Sequence, residues 1–122
     1  MILLGGIRNY YLYRNAVDMR KSFYGLGGLV RNEMNREMGK GEGYLFFNKR
    51  KTMVKLLIWE GTSFVLYCKK LVEGTFEIPE SSLERNHVEI AERTFMLMME
   101  GVSLKNIKMR KRYEFGIKES RA

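Results

Sequence analysis

Between residues 43 and 79, apolar runs of strand length alternate with short polar turns. The Glu-Gly pairs at 60–61 and 73–74 predict two tight turns, because glycine tolerates the positive φ that such turns require. Pro79 is expected to end the sheet. The strands predicted from this pattern are residues 44–48, 53–59, 63–69 and 75–78.

Two further elements are predicted upstream of this run. Residues 7–14 are rich in aromatic side chains and predict a first strand. Asp18 is suited to cap a helix, because its carboxylate can accept the free amides of the first turn, and a helical period then continues to about residue 37. Glycines at three positions between 25 and 28 each cost about 1 kcal/mol relative to alanine, and indicate close packing or a break. The apolar face of this helix is predicted to contain Met19, Phe23, Leu26, Val30 and Met34.

The last third of the chain predicts a polar connection over residues 80–88 and a short helix over residues 90–99, which Gly101 stops. Residues 103–117 are basic and partly alternating, and predict either a last strand or a tail. The core face of the short helix is expected to hold Ile90, Phe95 or Thr94, and Met98.

These elements predict an α+β fold. A chain of 122 residues is long enough for one hydrophobic core but not for two, so residues 1–122 are expected to form a single domain. The sheet is predicted to be an antiparallel meander of about four to five strands, with an N-terminal helix packed on one face and a short C-terminal helix. The basic segment from about residue 103 to residue 122 could be a flexible tail.

Neither membrane insertion nor secretion is indicated. No apolar run approaches the roughly 20 residues that a membrane-spanning helix needs. No basic region precedes the apolar residues at the start of the chain, so no signal peptide is expected. The single cysteine, Cys68, excludes an internal disulfide framework, and the expected location is the cytoplasm.

Charge is distributed unevenly along the chain. The formal net charge is +8, from 22 Lys and Arg against 14 Asp and Glu. Residues 49–72 and 103–113 are basic, whereas residues 73–100 are acidic. Two basic segments that flank an acidic one suggest a polyanionic partner or a charged protein partner. The alternative is that these cations are ordinary solvated surface.

The basic clusters are the candidate nucleic-acid contacts. Residues 48–51 occupy a predicted hairpin tip, where long cationic side chains can reach a phosphate backbone, and residues 108–112 could act as a second anchor. Lys55, Lys69 and Lys70 could extend the surface of the tip. The full candidate set is Arg20, Lys21, Lys49, Arg50, Lys51, Lys55, Lys69, Lys70, Lys108, Arg110, Lys111 and Arg112.

Two local features bear on this interpretation. Trp59, Tyr67 or Phe47 could stack on bases, and the alternative that these aromatic residues belong to the core stays open. Arg20 and Lys21 lie at the predicted start of a helix, where positive charge is unfavourable. That conflict favours a binding role for the two cations.

Few residues could carry catalysis or bind a metal. Asp18 is the only aspartate, so a site of two Asp and one Glu cannot be built from this chain alone. With His87 as the only histidine and Cys68 as the only cysteine, no nitrogen–sulfur zinc set can form. A Cys68–His87 nucleophile pair is conceivable, but the apolar pattern around Cys68 predicts a small core residue. We expect no catalytic residue, no metal, no cofactor and no small-molecule substrate.

Several stretches, taken in order over roughly residues 7–113, resemble one protein family. They are Tyr11-Leu-Tyr, Asp18-Met-Arg-Lys-Ser-Phe-Tyr-Gly-Leu, Gly43-Tyr-Leu-Phe-Phe, Lys55-Leu-Leu-Ile-Trp-Glu-Gly-Thr-Ser-Phe, Leu66-Tyr-Cys-Lys-Lys-Leu, Gly74-Thr-Phe and Met96-Leu-Met-Met-Glu-Gly-Val. The combination is similar to the Orf2 (TnpB-type) accessory proteins of the insertion-sequence sixty-six group of mobile elements. Glu60 and Ser63 stand where that family is expected to have Asp and Gly, which changes turn detail.

The resemblance implies a non-catalytic accessory protein of DNA transposition. Members are encoded beside a separate, larger transposase and are needed with it, and the family supplies no established catalytic residues. We therefore expect this chain to bind DNA, the transposase subunits of the same element, or both. The alternative is a protein–protein interaction subunit with no direct DNA contact. A third hypothesis, a nuclease, would depend on Asp18.

Overall fold

The computed structural model describes residues 6–79 and 86–100 of the chain. In chain order the elements are β1 (Asn9–Tyr13), α1 (Phe23–Asn32), β2 (Glu42–Phe47), β3 (Met53–Trp59), β4 (Phe64–Lys70), β5 (His87–Ile90) and α2 (Glu92–Met99). The strands form one sheet in the order β4-β3-β2-β1-β5, and the two helices lie on opposite faces of it. This architecture confirms the predicted α+β class.

Alternation along the strands sends side chains to two separate cores. Tyr11 faces the core beneath α1, which the helix closes with Leu26 and Val30. Tyr10 faces the core beneath α2, where its ring stacks on that of Phe95 with 4.0 Å between centroids. Because both faces of the central strands are covered, β2 and β3 read as nearly continuous apolar runs. We call the two sides of the sheet the α1 face and the α2 face.

The sheet is mixed, which corrects the predicted antiparallel meander. β1 pairs with β2 in parallel, with Tyr11 beside Tyr44, whereas β2–β3 and β3–β4 are antiparallel. The chain between β1 and β2 carries α1 over one face, and a crossover of this kind returns the next strand in the same direction. A meander pattern describes only strands that tight turns connect, so it could not reveal this pair.

The fifth strand occupies the end of the polar connection predicted over residues 80–88 and the start of the helix predicted over residues 90–99, which begins at Glu92 instead. His87–Ile90 pairs antiparallel with β1, with Val88 beside Leu12. The strand has only four residues, two of them polar, so its alternation is too short to stand out. Conversely, the predicted strand over residues 75–78 is wrong. Phe76 is buried there, but in an irregular segment.

α1 starts later and ends earlier than predicted. Its N-cap is Ser22, and its last residue is Asn32 rather than a residue near position 37. The prediction of Asp18 as the N-cap is wrong, because Asp18 closes a turn instead: its carboxylate accepts the backbone amide of Arg20 at 2.9 Å. An aspartate can satisfy the amides of a turn as readily as those of a helix start.

The three glycines of α1 do not break the helix. A Cβ added at Gly27 would meet no atom within 4 Å, so close packing does not explain that glycine. A Cβ at Gly25 would lie 3.3 Å from the side chain of Lys21. The expectation of close packing against the sheet, or of a break, is therefore wrong at Gly27.

Cys68 is exposed, which corrects its prediction as a core residue. It lies on the α1 face of β4 together with Phe64 and Leu66, which pack against the core. Phe23 of α1 reaches Phe64, with 6.1 Å between ring centroids. The helix covers the first half of β4, and Cys68 lies in the second half.

Candidate nucleic-acid interface

The turn between β2 and β3 presents exposed cations at all three positions from 49 to 51. Asn48 builds this turn, because its side-chain carbonyl accepts the amides of Thr52 and Met53 at 2.9 and 3.0 Å. Lys51 adopts a positive φ of 59° to complete it. The three cationic side chains therefore extend from a turn that hydrogen bonds hold in one conformation.

Two contacts bring further cations to the same end of the sheet. Lys70, the last residue of β4, pairs with Met53 beside the turn. The segment that carries residues 20–21 reaches this end because the amide of Val17 donates to the carbonyl of Phe47 at 2.9 Å. We call the resulting group of exposed residues the basic sheet end. Its members are Arg20, Lys21, Lys49, Arg50, Lys51 and Lys70.

Acidic residues also lie at this end. The guanidinium of Arg20 donates to the carboxylate of Asp18, with 2.7 Å between Nη2 and Oδ2. The hydrogen bonds from the side chain and the amide of Arg20 lower the pKa of Asp18 to about 2. Glu73 and Glu77 follow β4 at the same end. Arg20 therefore adds little net charge, and the positive charge of this end comes mainly from Lys21, Lys70 and the turn residues 49–51.

Lys55 and Lys69 are held by main-chain carbonyls on opposite faces of the sheet. On the α1 face, Nζ of Lys55 donates to the carbonyls of Met19 and Lys21 at 2.6 and 2.8 Å. On the α2 face, Nζ of Lys69 donates to the carbonyl of Met99 at the end of α2, where positive charge is favourable. Lys69 thus does not extend the surface of Lys55. Nucleic-acid contact by either residue stays a prediction.

Of the aromatic candidates, Phe47 belongs to the core, with 2% of its surface exposed. Tyr67 is partly buried on the α2 face, and Trp59 packs against Phe64 with 4.8 Å between ring centroids. The predicted strand or tail after residue 102 lies outside the described residues. The candidates Lys108, Arg110, Lys111 and Arg112 lie there too.

The opposite end of the sheet holds cations that the sequence clusters do not include. A cavity of about 680 Å³ is lined there by Arg8, Lys40 and Trp59, and the guanidinium of Arg8 donates to the carbonyl of Lys40 at 2.6 Å. A smaller cavity of about 250 Å³, on the other side of Trp59, is lined by Arg31 and Phe64. These cations are isolated in the sequence, so no charge run signals them.

A polar cluster joins the loop after α1 to the start of β2. The Glu42 carboxylate accepts hydrogen bonds from the Tyr44 hydroxyl at 2.6 Å and the Gly39 amide at 2.9 Å, and it lies 3.7 Å from the Arg36 guanidinium. That guanidinium lies over the ring of Tyr11, 3.8 Å from its centroid. The cluster fixes the loop on the sheet and is a structural feature of the α1 face.

The fold keeps Cys68 and His87, the two residues considered as a nucleophile pair, apart. Cys68 lies on β4 and His87 on β5, the two opposite edges of the sheet. Within residues 6–79 and 86–100, no group of three or more His, Cys, Asp or Glu side chains could hold a metal ion. No helix in these same ranges has the length and apolar character needed to cross a membrane.

Comparison with known families decides the relationship that the motifs suggest. The profile of the family described as IS66 Orf2 like protein matches residues 8–109, which is most of the chain. The chain belongs to the IS66 Orf2-like family. Membership confirms the resemblance seen in the sequence and assigns the protein an accessory role in transposition. Searches of curated proteins and of solved structures found no match to this IS66 Orf2-like protein.

Proposed function

We propose that this IS66 Orf2-like protein is a non-catalytic accessory of transposition that binds duplex DNA through the basic sheet end. The observation that carries the proposal is the meeting, at one end of the sheet, of cations from residues 20–21, 49–51 and 70. Cations held together in this way repel one another, and a phosphate backbone relieves that repulsion.

The arrangement favours contact with phosphates over base reading. Lysine and arginine side chains on a turn meet the backbone of DNA, and no described helix of the protein carries a row of cations suited to a groove. We therefore expect an affinity that varies little with DNA sequence and falls steeply with salt. DNA held here would be presented to the transposase of the same element.

A non-catalytic role is supported by the state of Asp18. Its carboxylate is occupied by the guanidinium and the amide of Arg20, so it is not placed as a metal ligand or a general base. A nuclease would be indicated by metal-dependent cleavage that the isolated chain loses on Asp18→Asn.

The DNA proposal is tested by titrating a short duplex with the wild type and with Lys49→Glu/Arg50→Glu at several salt concentrations. Each lost phosphate contact reduces the slope of log affinity against log salt by about 0.9, so the double variant should lose about 2 from the slope. Its affinity should also fall at low salt.

The matched control is Arg31→Glu/Lys40→Glu, which makes the same change in net charge with exposed residues at the opposite end of the sheet. The control should keep the wild-type slope. Equal losses in the two variants would mean that binding follows net charge and not this surface. An affinity indifferent to salt would contradict the proposal altogether.

One observation favours a second candidate, a subunit that docks on the transposase without touching DNA. Tyr24, in the first turn of α1, is 90% exposed, and the neighbouring Phe23 is 38% exposed. Aromatic side chains of this kind are enriched where proteins meet.

Co-purification with the transposase after nuclease treatment tests this candidate. Tyr24→Ala should reduce recovery of the complex, whereas Asn32→Ala, an exposed polar change in the same helix, should not. Failure to form a complex with or without DNA counts against docking. A complex that forms while the chain shows no affinity for DNA favours docking over the first candidate.

A further inference from the structure

The two edges of the sheet are built differently. β5, at one edge, has four residues, two of them polar. β4, at the other edge, has seven residues in unbroken register with β3 and contains neither proline nor a bulge. No described residue pairs with the outer side of β4. Long, regular edge strands are templates for pairing with another strand, whereas short or charged edges are protected, and the charge on β4 is confined to Lys69 and Lys70 at its end.

Two hydrogen bonds determine which backbone groups of β4 face away from β3. The amide of Glu60 donates to the carbonyl of Ser63, and the amide of Leu71 donates to the carbonyl of Thr52. In an antiparallel pair, successive residues of a strand direct their backbone groups alternately toward and away from the partner. Ser63 and Leu71 face β3, so the even-numbered residues between them face away. These are Phe64, Leu66, Cys68 and Lys70.

We propose that a second copy of this chain pairs with β4 in an antiparallel arrangement about a two-fold axis at Tyr67. This register places Phe64 opposite the partner's Lys70 and Leu66 opposite the partner's Cys68. Each of the four outward-facing residues of one copy then exchanges backbone hydrogen bonds with the residue opposite it in the other copy. The two five-stranded sheets become one continuous sheet.

Charge favours a second copy as the occupant. Lys70 ends β4, whereas Glu60, the only acid between residues 49 and 72, lies in the turn that precedes the strand. A strand with opposite charges at its two ends is complementary to itself in the antiparallel direction. The two-fold axis brings each Lys70 toward the turn that carries the partner's Glu60. Val72, which is 99% exposed, then lies opposite the partner's Thr62.

Apolar surface favours the same arrangement. The residues from Phe64 to Tyr67 are apolar but only partly buried, because β3 is the one neighbouring strand that the described part of the chain gives them. A partner strand supplies the missing neighbour on both faces. The two Tyr67 rings meet across the axis on the α2 face, as a directly opposed aromatic pair.

The first test removes one backbone amide hydrogen of β4 that faces away from β3 and leaves the hydrogen bonds between β4 and β3 unchanged. In sedimentation experiments on the full chain, free of DNA and over a range of concentrations, Cys68→Ser should form dimers like the wild type. Cys68→Pro lacks the amide hydrogen that pairing needs, while its ladder to β3 stays intact. Because of the two-fold axis, one substitution removes two hydrogen bonds, each contributing about fivefold to affinity, so the dissociation constant should rise about 25-fold.

The second test uses charge and covers the case in which Cys68→Pro fails to fold. Thr62 and Val72 lie opposite each other across the axis, so Thr62→Lys/Val72→Lys should weaken the dimer through like-charge contacts, whereas Thr62→Glu/Val72→Lys should not. Both positions are exposed, so the monomer fold tolerates them. Equal dimer affinities for these two double variants would contradict this register.

The third test uses the single native cysteine as a probe. Diagonal neighbours across an antiparallel pair are roughly 7–8 Å apart, so a bismaleimide with a short spacer should join two Cys68 thiols, whereas direct disulfide formation should be poor. The proposal is overturned by a monomer at every concentration, as expected if another part of the same chain covers β4. It is also overturned by a Cys68→Pro dimer as tight as that of Cys68→Ser.

Discussion

Glu42 accepts hydrogen bonds from a tyrosine hydroxyl and a backbone amide at the start of β2, and its side chain is 15% exposed. Burial acts to raise the pKa of this carboxyl. The hydrogen bonds from Tyr44 and Gly39 and the charge of Arg36 outweigh it, so the pKa lies below the ordinary value of 4.5. The folded state therefore favours ionised Glu42 more than the unfolded state does.

This shift predicts a dependence of stability on pH with a definite sign. Because the folded pKa is lowered, the contribution of Glu42 is complete well above pH 4.5 and is lost as the pH falls through the folded pKa. Glu42→Gln should cost about 1–2 kcal/mol of unfolding free energy at pH 7. Urea unfolding of the two proteins should show the difference shrinking as the pH falls below 4.5.

Glu37→Gln is the control for this experiment, since Glu37 is an exposed carboxylate in the same loop. Its effect at pH 7 should stay within about 0.5 kcal/mol. A Glu42→Gln penalty that is the same in acid as at neutral pH would show that the ionised carboxylate is not what stabilises the loop.

The segment before α1 is tied to β3 by Lys55. Its ammonium donates to the carbonyls of Met19 and Lys21, close to the start of a helix whose N-cap Ser22 makes no side-chain capping bond. Lys55 thus fixes the position from which the helix leaves the sheet. The same contact positions the cations at residues 20–21.

Lys55→Met keeps the length of the side chain but removes both hydrogen bonds, so it should lower the unfolding free energy by about 1 kcal/mol. Lys49→Met, at an exposed turn position, should change it by less than about 0.5 kcal/mol. Denaturant titration without DNA measures both values. Equal effects from the two variants would mean that Lys55 is only another surface cation.

The order of strands predicts how the molecule opens. β2 and β3 are interior strands with covered faces, whereas β5 is a four-residue edge. In native-state hydrogen exchange, the amides of Leu45 and Leu57 should exchange only through global unfolding, and those of Val88 and Ile90 should exchange faster. The outward amide of Leu66 should be protected only at concentrations where the dimer forms.

Two outcomes would contradict this expectation. Amides of β5 as slow as those of β2 would mean that residues outside the described part of the chain stabilise that edge. Protection of Leu66 that does not change with protein concentration would mean that β4 is covered within one chain.

Patterns that depend on neighbouring residues were readable from the sequence. β3 was predicted over its observed range, and β4 within one residue, because alternation and the Glu-Gly turn are local signals. Gly61 has the positive φ, 93°, that the turn required. Of the core positions predicted for α2, Met98 is confirmed and Phe95 rather than Thr94 is buried, since the helical period is local too, whereas Ile90 belongs to β5.

Pairing between distant parts of the chain was not readable in this way. A strand has two edges, and its side-chain pattern does not say which strand lies at either one, so neither the parallel β1–β2 pair nor the edge position of β5 could be predicted. For the same reason Cys68 looked like a core residue. Its burial depends on whether a helix covers that part of β4.

The basic character of the chain, its single aspartate, histidine and cysteine, and its family follow from the order of amino acids alone. Three features depend on the fold: the cations of three segments meet at one sheet end, Lys55 and Lys69 bind main-chain carbonyls, and β4 lies at the edge of the described sheet. Composition and period are properties of nearby residues, whereas a surface is made by residues that only tertiary contacts bring together.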